Sequence, residues 1–177
     1  MNTDRARSKH PTIRRATRAD LDEIVDTLVV SHLDYAWERW LLPDAGSRAS
    51  TLEMLFRLDV DTIGLPHGDV WITEHSTSVA IWLPTDIDLS AEERQRIAHG
   101  DDLLGDRAAV AQEVDNIMVR PARATWFLAT MGTRPDSQRR GLGSAVLQPK
   151  LRELDGAGQT AHLDTSDPDN VRFYERL

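Results

Sequence analysis

The sequence predicts an α/β or α+β domain in which helices surround a mixed β-sheet. Two strand-like runs, DVWITE (69–74) and SVAIWLP (78–84), are separated by a short polar stretch, which is the spacing of a β-hairpin. Farther along, a strand, a helix and another strand follow one another between residues 125 and 166, and this order predicts a parallel crossover. With 177 residues, the chain suits one compact domain rather than two.

The first part of the domain predicts a short strand followed by an amphipathic helix. We expect residues 1–11 to form a disordered tail and TIRRAT (12–17) to form the first strand. Thr17 and Asp20 have the spacing of a capping box. Apolar residues then recur at helical spacing, at Leu21, Ile24, Val25, Leu28 and Val29. His32 extends this stripe, and we interpret it as a packed histidine at the edge of the core.

The middle of the chain predicts further helices on either side of the hairpin. A helix is expected over residues 48–58 because its leucines and phenylalanine recur on one face. Ser90 and Glu93 form a second capping-box pattern and open another helical region. Gly100 and Gly105 are expected to break that region.

The last part of the chain predicts two strands and two helices. TWFLATMGT (125–133) is β-branched and aromatic at its start and apolar through its middle, which is typical of a strand. A helix is expected over residues 143–155, although Pro149 should bend it. AHLDTS (161–166) predicts the next strand, and VRFYERL begins a last helix.

The composition of the chain excludes several classes of function. A net charge of -8 argues against general binding to nucleic acid, whose phosphates would be repelled. The chain has no cysteine, so disulfides, thiolate catalysis and cysteine-ligated zinc are excluded. The polar start lacks the apolar segment of a secretory signal, and no run approaches the ~18 apolar residues of a membrane span. We therefore expect a cytoplasmic protein that contacts neither membrane nor nucleic acid.

The stretch RPDSQRRGLGSAV (134–146) concentrates positive charge beside a Gly-x-Gly turn at a predicted helix start. The first N–H groups of a helix have no partner inside it, and glycines let a ligand approach the backbone closely. Together with Arg139 and Arg140, such a turn could bind a phosphate. The alternative is an ordinary tight turn flanked by solvated arginines. The run contains neither the Gly-Lys-Ser/Thr of a P-loop nor the third glycine of a dinucleotide fingerprint.

The run QRRGLGS resembles the Q/R-x-x-G-x-G/A signature of the GNAT superfamily of acetyl-CoA-dependent N-acetyltransferases. WFLATMGTRPDSQRRGLGSAV, LDTS and NVRFYERL are also similar to segments of the puromycin-acetylating members of that superfamily. Two further runs, PTIRRATRADLDEIVDTL and DVWITEHSTSVAIW, extend the likeness over nearly the whole chain, except for residues 85–120. The resemblance implies a mostly antiparallel central sheet flanked by helices, with splayed fourth and fifth strands.

The same resemblance implies an enzyme that uses acetyl-CoA and no metal. Loop amides would hold the cofactor's pyrophosphate, and main-chain groups of the fourth strand would hold its pantetheine arm. Tyr174 matches the family's tyrosine that can protonate the leaving thiolate, so we predict that it is the general acid. Core packing of a terminal helix is the alternative for Tyr174, and a helix N-cap is the alternative for Asn170. The residues expected at the cofactor are Thr130, Met131, Thr133, Arg139, Arg140, Gly141, Leu142, Gly143, Ser144 and Asn170.

The resemblance implies transfer to a primary amine of a small molecule, such as puromycin or a related aminonucleoside, and hence a role in antibiotic resistance. Aromatic residues after the first helix could recognise that acceptor, namely Tyr35, Trp37 and Trp40, near Asp34 and Glu38. Core packing suits those tryptophans equally well. No general base can be assigned among Asp164, Glu74, His75 and an ordered water chain. Two alternatives to this function are open. The chain could be a non-catalytic CoA-binding or sensor domain, or it could acetylate an amine of a protein.

The family's chain continues past the tyrosine helix with two more strands. We therefore expect a single acetyltransferase domain over residues 12–177 that lacks these strands. Their absence would leave the strand at LDTS with an unpaired edge. A second copy of the chain could cover that edge, as a homodimer.

Overall fold

The computed structural model describes residues 11–118 and 121–177. The predicted disordered tail, apart from Pro11, lies outside these residues. One five-stranded sheet runs in the order β1-β2-β3-β4-β5, and its strands pair antiparallel except for β4 and β5, which are parallel. This arrangement confirms the predicted fold class. The strands are β1 (Ile13–Arg15), β2 (Asp69–Thr73), β3 (Ser78–Pro84), β4 (Ala124–Thr133) and β5 (Thr160–His162).

Helices cover both faces of the sheet. They are α1 (Leu21–His32), α2 (Ala36–Leu41), α3 (Arg48–Asp59), α4 (Leu65–His67), α5 (Ala91–Asp101), α6 (Arg107–Ile117), α7 (Leu142–Ala157) and α8 (Pro168–Tyr174). Short 3-10 turns occur at Arg18–Asp20, Glu74–Ser76, Asp102–Leu104 and Pro135–Ser137. A wider π-helical turn, Val60–Gly64, joins α3 to α4.

The alternation of β2 and β3 side chains divides the core into two layers. One layer packs α1 and the π-helical turn on the sheet, through Ile24, Leu28, Val60, Val70, Ile72, Val79 and Ile81. The other packs α7 on the opposite face, through Ala80, Trp82, Leu128, Val146, Leu147 and Leu154. Burying these apolar side chains supplies most of the free energy that holds the helices on the sheet.

Several predicted boundaries are wrong in detail. β5 ends at His162, so LDTS (163–166) is a loop and not part of a strand. Gly100 lies inside α5, and only Gly105 marks a break, with φ 54°. α7 includes Pro149 and runs from Leu142 to Ala157, slightly beyond the predicted residues 143–155 at both ends. Asp167, and not Asn170, caps α8, because its carboxylate accepts a hydrogen bond from the N–H of Asp169 at 2.9 Å.

Over residues 11–118 and 121–177, no helix has both the length and the apolar composition required to cross a lipid bilayer.

Candidate active site

A groove opens where β4 and β5 separate. The two strands pair as far as Phe127 and His162, after which β4 continues alone on that side to Thr133. A register shift against β3 leaves Ala129 without a direct partner, so β4 bulges near the point of separation. The groove has a volume of about 1210 Å³ and runs between β4 and the loop that follows β5. This separation is the predicted splaying of the fourth and fifth strands.

The glycine turn forms one end of the groove. Arg139 (φ 60°) and Gly141 (φ 76°) both have left-handed backbone conformations, which curl the chain just before α7. Along the chain from Gly141, the first N–H group that makes a hydrogen bond is that of Ala145, which donates to the carbonyl oxygen of Gly141 at 2.9 Å. In the described part of the chain, the N–H groups of Gly141 to Ser144 donate to no acceptor. Free N–H groups at a helix start are suited to binding an anion.

Most of the residues that the sequence indicated for the cofactor lie together in this groove. They are Thr130, Met131, Thr133, Arg139, Gly141, Leu142, Gly143, Ser144 and Asn170, and Tyr174 lines the groove with them. Arg140 is exposed and does not line it. Arg134 also stays outside, because its guanidinium pairs with Asp26 on α1.

Tyr174 projects from α8 towards β4. Its phenolic O–H donates to Sδ of Met131 at 3.9 Å, and its ring meets that of Phe173 edge to face. Burial raises the pKa of Tyr174 to about 12, and the nearby Tyr35 adds to this shift. The phenol therefore keeps its proton at neutral pH.

The loop after β5 is held by Tyr35. The Tyr35 hydroxyl lies 3.0 Å from Oγ1 of Thr165 and accepts a hydrogen bond from the N–H of Ser166 at 3.0 Å. The amide Nδ2 of Asn170 donates to the same Thr165 oxygen at 3.3 Å. Tyr35, which the sequence suggested for acceptor recognition, thus also positions one wall of the groove.

His32 also lines the groove, which the sequence did not predict. Its Nδ1 lies 2.9 Å from the carbonyl oxygen of Leu28, and its Nε2 lies 3.4 Å from Oγ1 of Thr130, beside the bulge in β4. Donation from Nδ1 to the carbonyl selects the tautomer whose Nε2 carries a lone pair. Burial lowers the pKa of His32, so the ring is neutral at pH 7. Its place at the end of the apolar stripe of α1 had indicated packing alone.

Other sequence candidates are divided between the groove and the surface. Asp164 lines the groove, whereas Glu74 and His75 lie in the turn between β2 and β3, away from it. Trp37 lines the groove, while Trp40 stacks on Trp37 with ring centroids 5.0 Å apart and does not reach it.

The far end of the groove is acidic. Glu38 and Asp59 line it together with Trp37 and Phe56, and the same four residues border a second cavity of about 240 Å³ under α5. Glu38 is half-buried, and this burial raises its pKa to about 7; Asp59 is exposed to the groove, although desolvation by the surrounding protein raises its pKa to about 6. Within residues 11–118 and 121–177, neither carboxylate has a Lys, Arg or His nitrogen within 4.0 Å, although Asp101 lies nearby on the same cavity.

The described residues contain no group of three or more His, Asp or Glu side chains that could hold a metal ion. The groove is lined by backbone amides, hydroxyls, carboxylates, the imidazole of His32 and the guanidinium groups of Arg139 and Arg176.

No protein-family model matches the chain. Solved acetyltransferase structures nevertheless superpose on most of it. One is a structure from Corynebacterium glutamicum described as histone acetyltransferase HPA2 and related acetyltransferase. It is 25% identical, with a TM-score of 0.72 over 95% of this chain and 83% of that one. Two others share the fold at lower identity. A GNAT family acetyltransferase from Brucella melitensis, in complex with acetyl-CoA, is 17% identical, with a TM-score of 0.50 over 93% of this chain and 81% of that one. Polyamine N-acetyltransferase from Drosophila melanogaster is 16% identical, with a TM-score of 0.53 over 94% and 81%. The fold of this chain is therefore that of GNAT acetyltransferases.

Proposed function

We propose that the protein is an acetyl-CoA-dependent N-acetyltransferase that acts on a primary amine of a small molecule. The observation that carries this proposal is the groove beside β4, which joins a turn of unbonded amides to a neutral histidine and a protonated tyrosine. The fold that the chain shares with GNAT acetyltransferases, one of them in complex with acetyl-CoA, supports it.

The residues of the groove fit the cofactor. The N–H groups of Gly141 to Ser144 would hold its pyrophosphate, with Arg139 adding positive charge. Main-chain groups of Thr130, Met131 and Thr133 lie on the part of β4 that β5 leaves unpaired, so they would pair with the pantetheine amides as an added strand does. Asn170 would contact the cofactor from α8. Bound acetyl-CoA supplies the acetyl group as a reactive thioester.

His32 is the base that the site offers. A neutral amine is the nucleophile, so a proton must leave its nitrogen as the N–C bond forms. The Nε2 lone pair of His32 lies beside the bulge of β4 and would accept that proton, directly or through one water. The Leu28 carbonyl holds the ring in the required tautomer. Asp164 also faces the groove, but an exposed carboxylate is a weaker base than a neutral imidazole.

Tyr174 would act as the general acid. Among the residues that the structure describes, its hydroxyl has only a thioether as partner, so its proton is available to the sulfur when the C–S bond breaks. A pKa of about 12 keeps the phenol protonated before transfer. The proton taken by His32 and the proton given by Tyr174 balance, and exchange with solvent restores both groups.

Cofactor binding is tested by thermal unfolding. Acetyl-CoA at about 100 times its Kd should stabilise the fold by about 2.7 kcal/mol. For a domain of this size the rise in Tm is roughly 5–10 °C. Gly141→Ala should weaken binding by up to roughly tenfold, because an alanine with positive φ costs about 1–2 kcal/mol and the turn relaxes to avoid it.

Gly158→Ala is the matched control. Gly158 ends α7 with φ 62°, and an added Cβ meets nothing within 4 Å at either glycine. Both variants should therefore lose similar stability, while only Gly141→Ala shows a smaller response to acetyl-CoA, down to about half of the wild-type stabilisation at the same concentration. Equal responses in the two variants would contradict binding at this turn.

Turnover is tested by free-thiol release from acetyl-CoA, with puromycin and a panel of alkyl amines as acceptors. The protein contains no cysteine, so it adds no thiol background. A chain that binds acetyl-CoA and releases no thiol with any amine would instead be a sensor domain.

A further inference from the structure

The ring of His32 is enclosed so that each of its nitrogens already faces a partner. Nδ1 lies 2.9 Å from the carbonyl oxygen of Leu28, and Nε2 lies 3.4 Å from Oγ1 of Thr130. The ring of Phe56 lies beside the imidazole, with centroids 5.2 Å apart, and the ring of Tyr35 meets it edge to face at 6.0 Å. A neutral imidazole accepts a hydrogen bond at one nitrogen, and here that nitrogen faces a hydroxyl.

The hydroxyl that faces this lone pair belongs to a residue of the groove wall. Thr130 lines the groove on the part of β4 that β5 leaves unpaired, directly after the bulge at Ala129. Within the described residues, its side chain makes no other hydrogen bond. A hydroxyl has one proton to donate and two lone pairs, so Thr130 can donate to His32 and still accept a proton from the groove. Direct transfer from a reactant to Nε2 would first require this side chain to turn away.

Successive side chains of β4 lead to the proposed base and the proposed acid. Thr130 faces His32 on α1, whereas Met131, the next residue, faces Tyr174 on α8. Neighbouring side chains of a strand point to opposite faces of a sheet. α1 packs on one face, and Met131 and Tyr174 pack with α7 on the other. A proton taken through Thr130 would therefore travel away from the place where Tyr174 protonates the sulfur.

We infer that the Thr130 hydroxyl relays the proton from the attacking amine to His32, which makes Thr130 a further catalytic residue. As the N–C bond forms, the amine nitrogen gives its proton to Oγ1, while Oγ1 gives its own proton to Nε2. Thr130 ends the step as the same neutral hydroxyl, and His32 carries the charge. Tyr174 gives its proton to the sulfur as the C–S bond breaks. This inference rests on the proposed function, because it concerns the same reaction and the same base.

Three substitutions of Thr130 separate a relay from a packing role. Thr130→Val keeps the shape of the side chain and removes the hydroxyl, so kcat should fall by about 100-fold. Thr130→Ala leaves a space that a water can fill, and a bridging water is nearly as good as a direct hydrogen bond, so kcat should stay within about tenfold of the wild type. Thr130→Ser should keep nearly the wild-type rate. A packing role predicts the opposite order for valine and alanine, because alanine leaves the larger cavity.

Thr125→Val is the matched control. Thr125 lies on the same strand but outside the groove, and its hydroxyl donates to the carbonyl oxygen of Thr160 at the same length of 3.4 Å. This variant should keep the wild-type kcat. Acetyl-CoA should raise the Tm of all four variants as it does that of the wild type, because these changes leave the main chain of β4 in place.

The hydrogen bond from Thr130 is also measurable without turnover. The nitrogen-15 resonance of an unprotonated ring nitrogen moves when a donor bonds to its lone pair. At pH 8 the Nε2 signal of His32 should therefore differ between the wild type and Thr130→Val, and it should agree between the wild type and Thr130→Ser. The chain has six histidines, and the signal of His32 is the one that His32→Gln lacks.

The relay and the enzymatic proposal fail in different ways. A wild-type kcat in Thr130→Val, or an unmoved Nε2 signal in that variant, would overturn the relay and leave the acetyltransferase with another route for the proton. A kcat of Thr130→Ala below that of Thr130→Val would indicate packing and would overturn the relay as well. Absence of thiol release with every amine would refute both proposals together.

Discussion

Removing the hydroxyl of Tyr174 separates its chemical role from its structural one. In the Tyr174→Phe variant the ring keeps its packing against Phe173, and the hydrogen bond lost within the described part of the chain is the one to Sδ of Met131 at 3.9 Å. A bond of that length to a thioether is worth less than the roughly 0.5–1.5 kcal/mol of an ordinary one. The Tm should therefore fall by at most about 2–4 °C. The loss of a general acid should lower kcat by about 100-fold to 10,000-fold.

The assay is free-thiol release at saturating acetyl-CoA with the best amine, alongside thermal unfolding. Tyr35→Phe makes the same chemical change but removes a hydroxyl that bonds both Thr165 and the N–H of Ser166, each at 3.0 Å. That control should lose more stability than Tyr174→Phe and less catalytic rate. Cofactor affinity should be nearly the same in Tyr174→Phe and the wild type. A Tyr174→Phe rate within about twofold of the wild type would refute the general-acid role.

Three further predictions concern other parts of the molecule. His32→Gln should lower kcat/KM by about 100-fold or more and abolish the acidic limb of its pH profile, and an unchanged limb would exclude His32 as base. Gly132→Ala should cost about 1–3 kcal/mol in chemical denaturation, because its Cβ would lie 2.2 Å from Oγ of Ser31; Ser31→Ala should recover part of the loss. The hydrogen bond from His67, assisted by the N-cap of α5, lowers the pKa of Glu93 from 4.5 to about 2. The stability that Glu93 contributes is thus full above pH 4.5 and is lost as pH falls towards 2. The Tm of Glu93→Gln should lack this contribution to the pH dependence. Identical Tm–pH curves for Glu93→Gln and the wild type would contradict it.

Local patterns in the sequence were enough to predict the sheet and its main helices. The hairpin of β2 and β3, the amphipathic α1 and the crossover from β4 to β5 all have signals within a few residues of one another, and the structure contains each of them. The π-helical turn at Val60–Gly64 was not predicted. It depends on how the end of α3 packs on the sheet, which no local periodicity records.

The site was predictable only where a motif marks it. The glycine turn and Tyr174 belong to recognisable runs of sequence, and they line the same groove. His32 and Thr130 are 98 positions apart, and the meeting of their side chains follows from the packing of α1 across β4. Glu38 and Asp59 border the same cavity for a similar reason, because α2 and α3 approach each other only in the folded chain.

The two ends of the groove come from separate stretches of the chain. Residues 37–64 line the acidic end, whereas residues 127–176 supply the glycine turn, the groove side of β4 and Tyr174. Substitutions in the earlier stretch can therefore reshape one end while leaving the other intact. Under the proposed function, evolution could exchange one acceptor for another by editing a few codons of this one stretch, without having to reinvent how the acetyl donor is held.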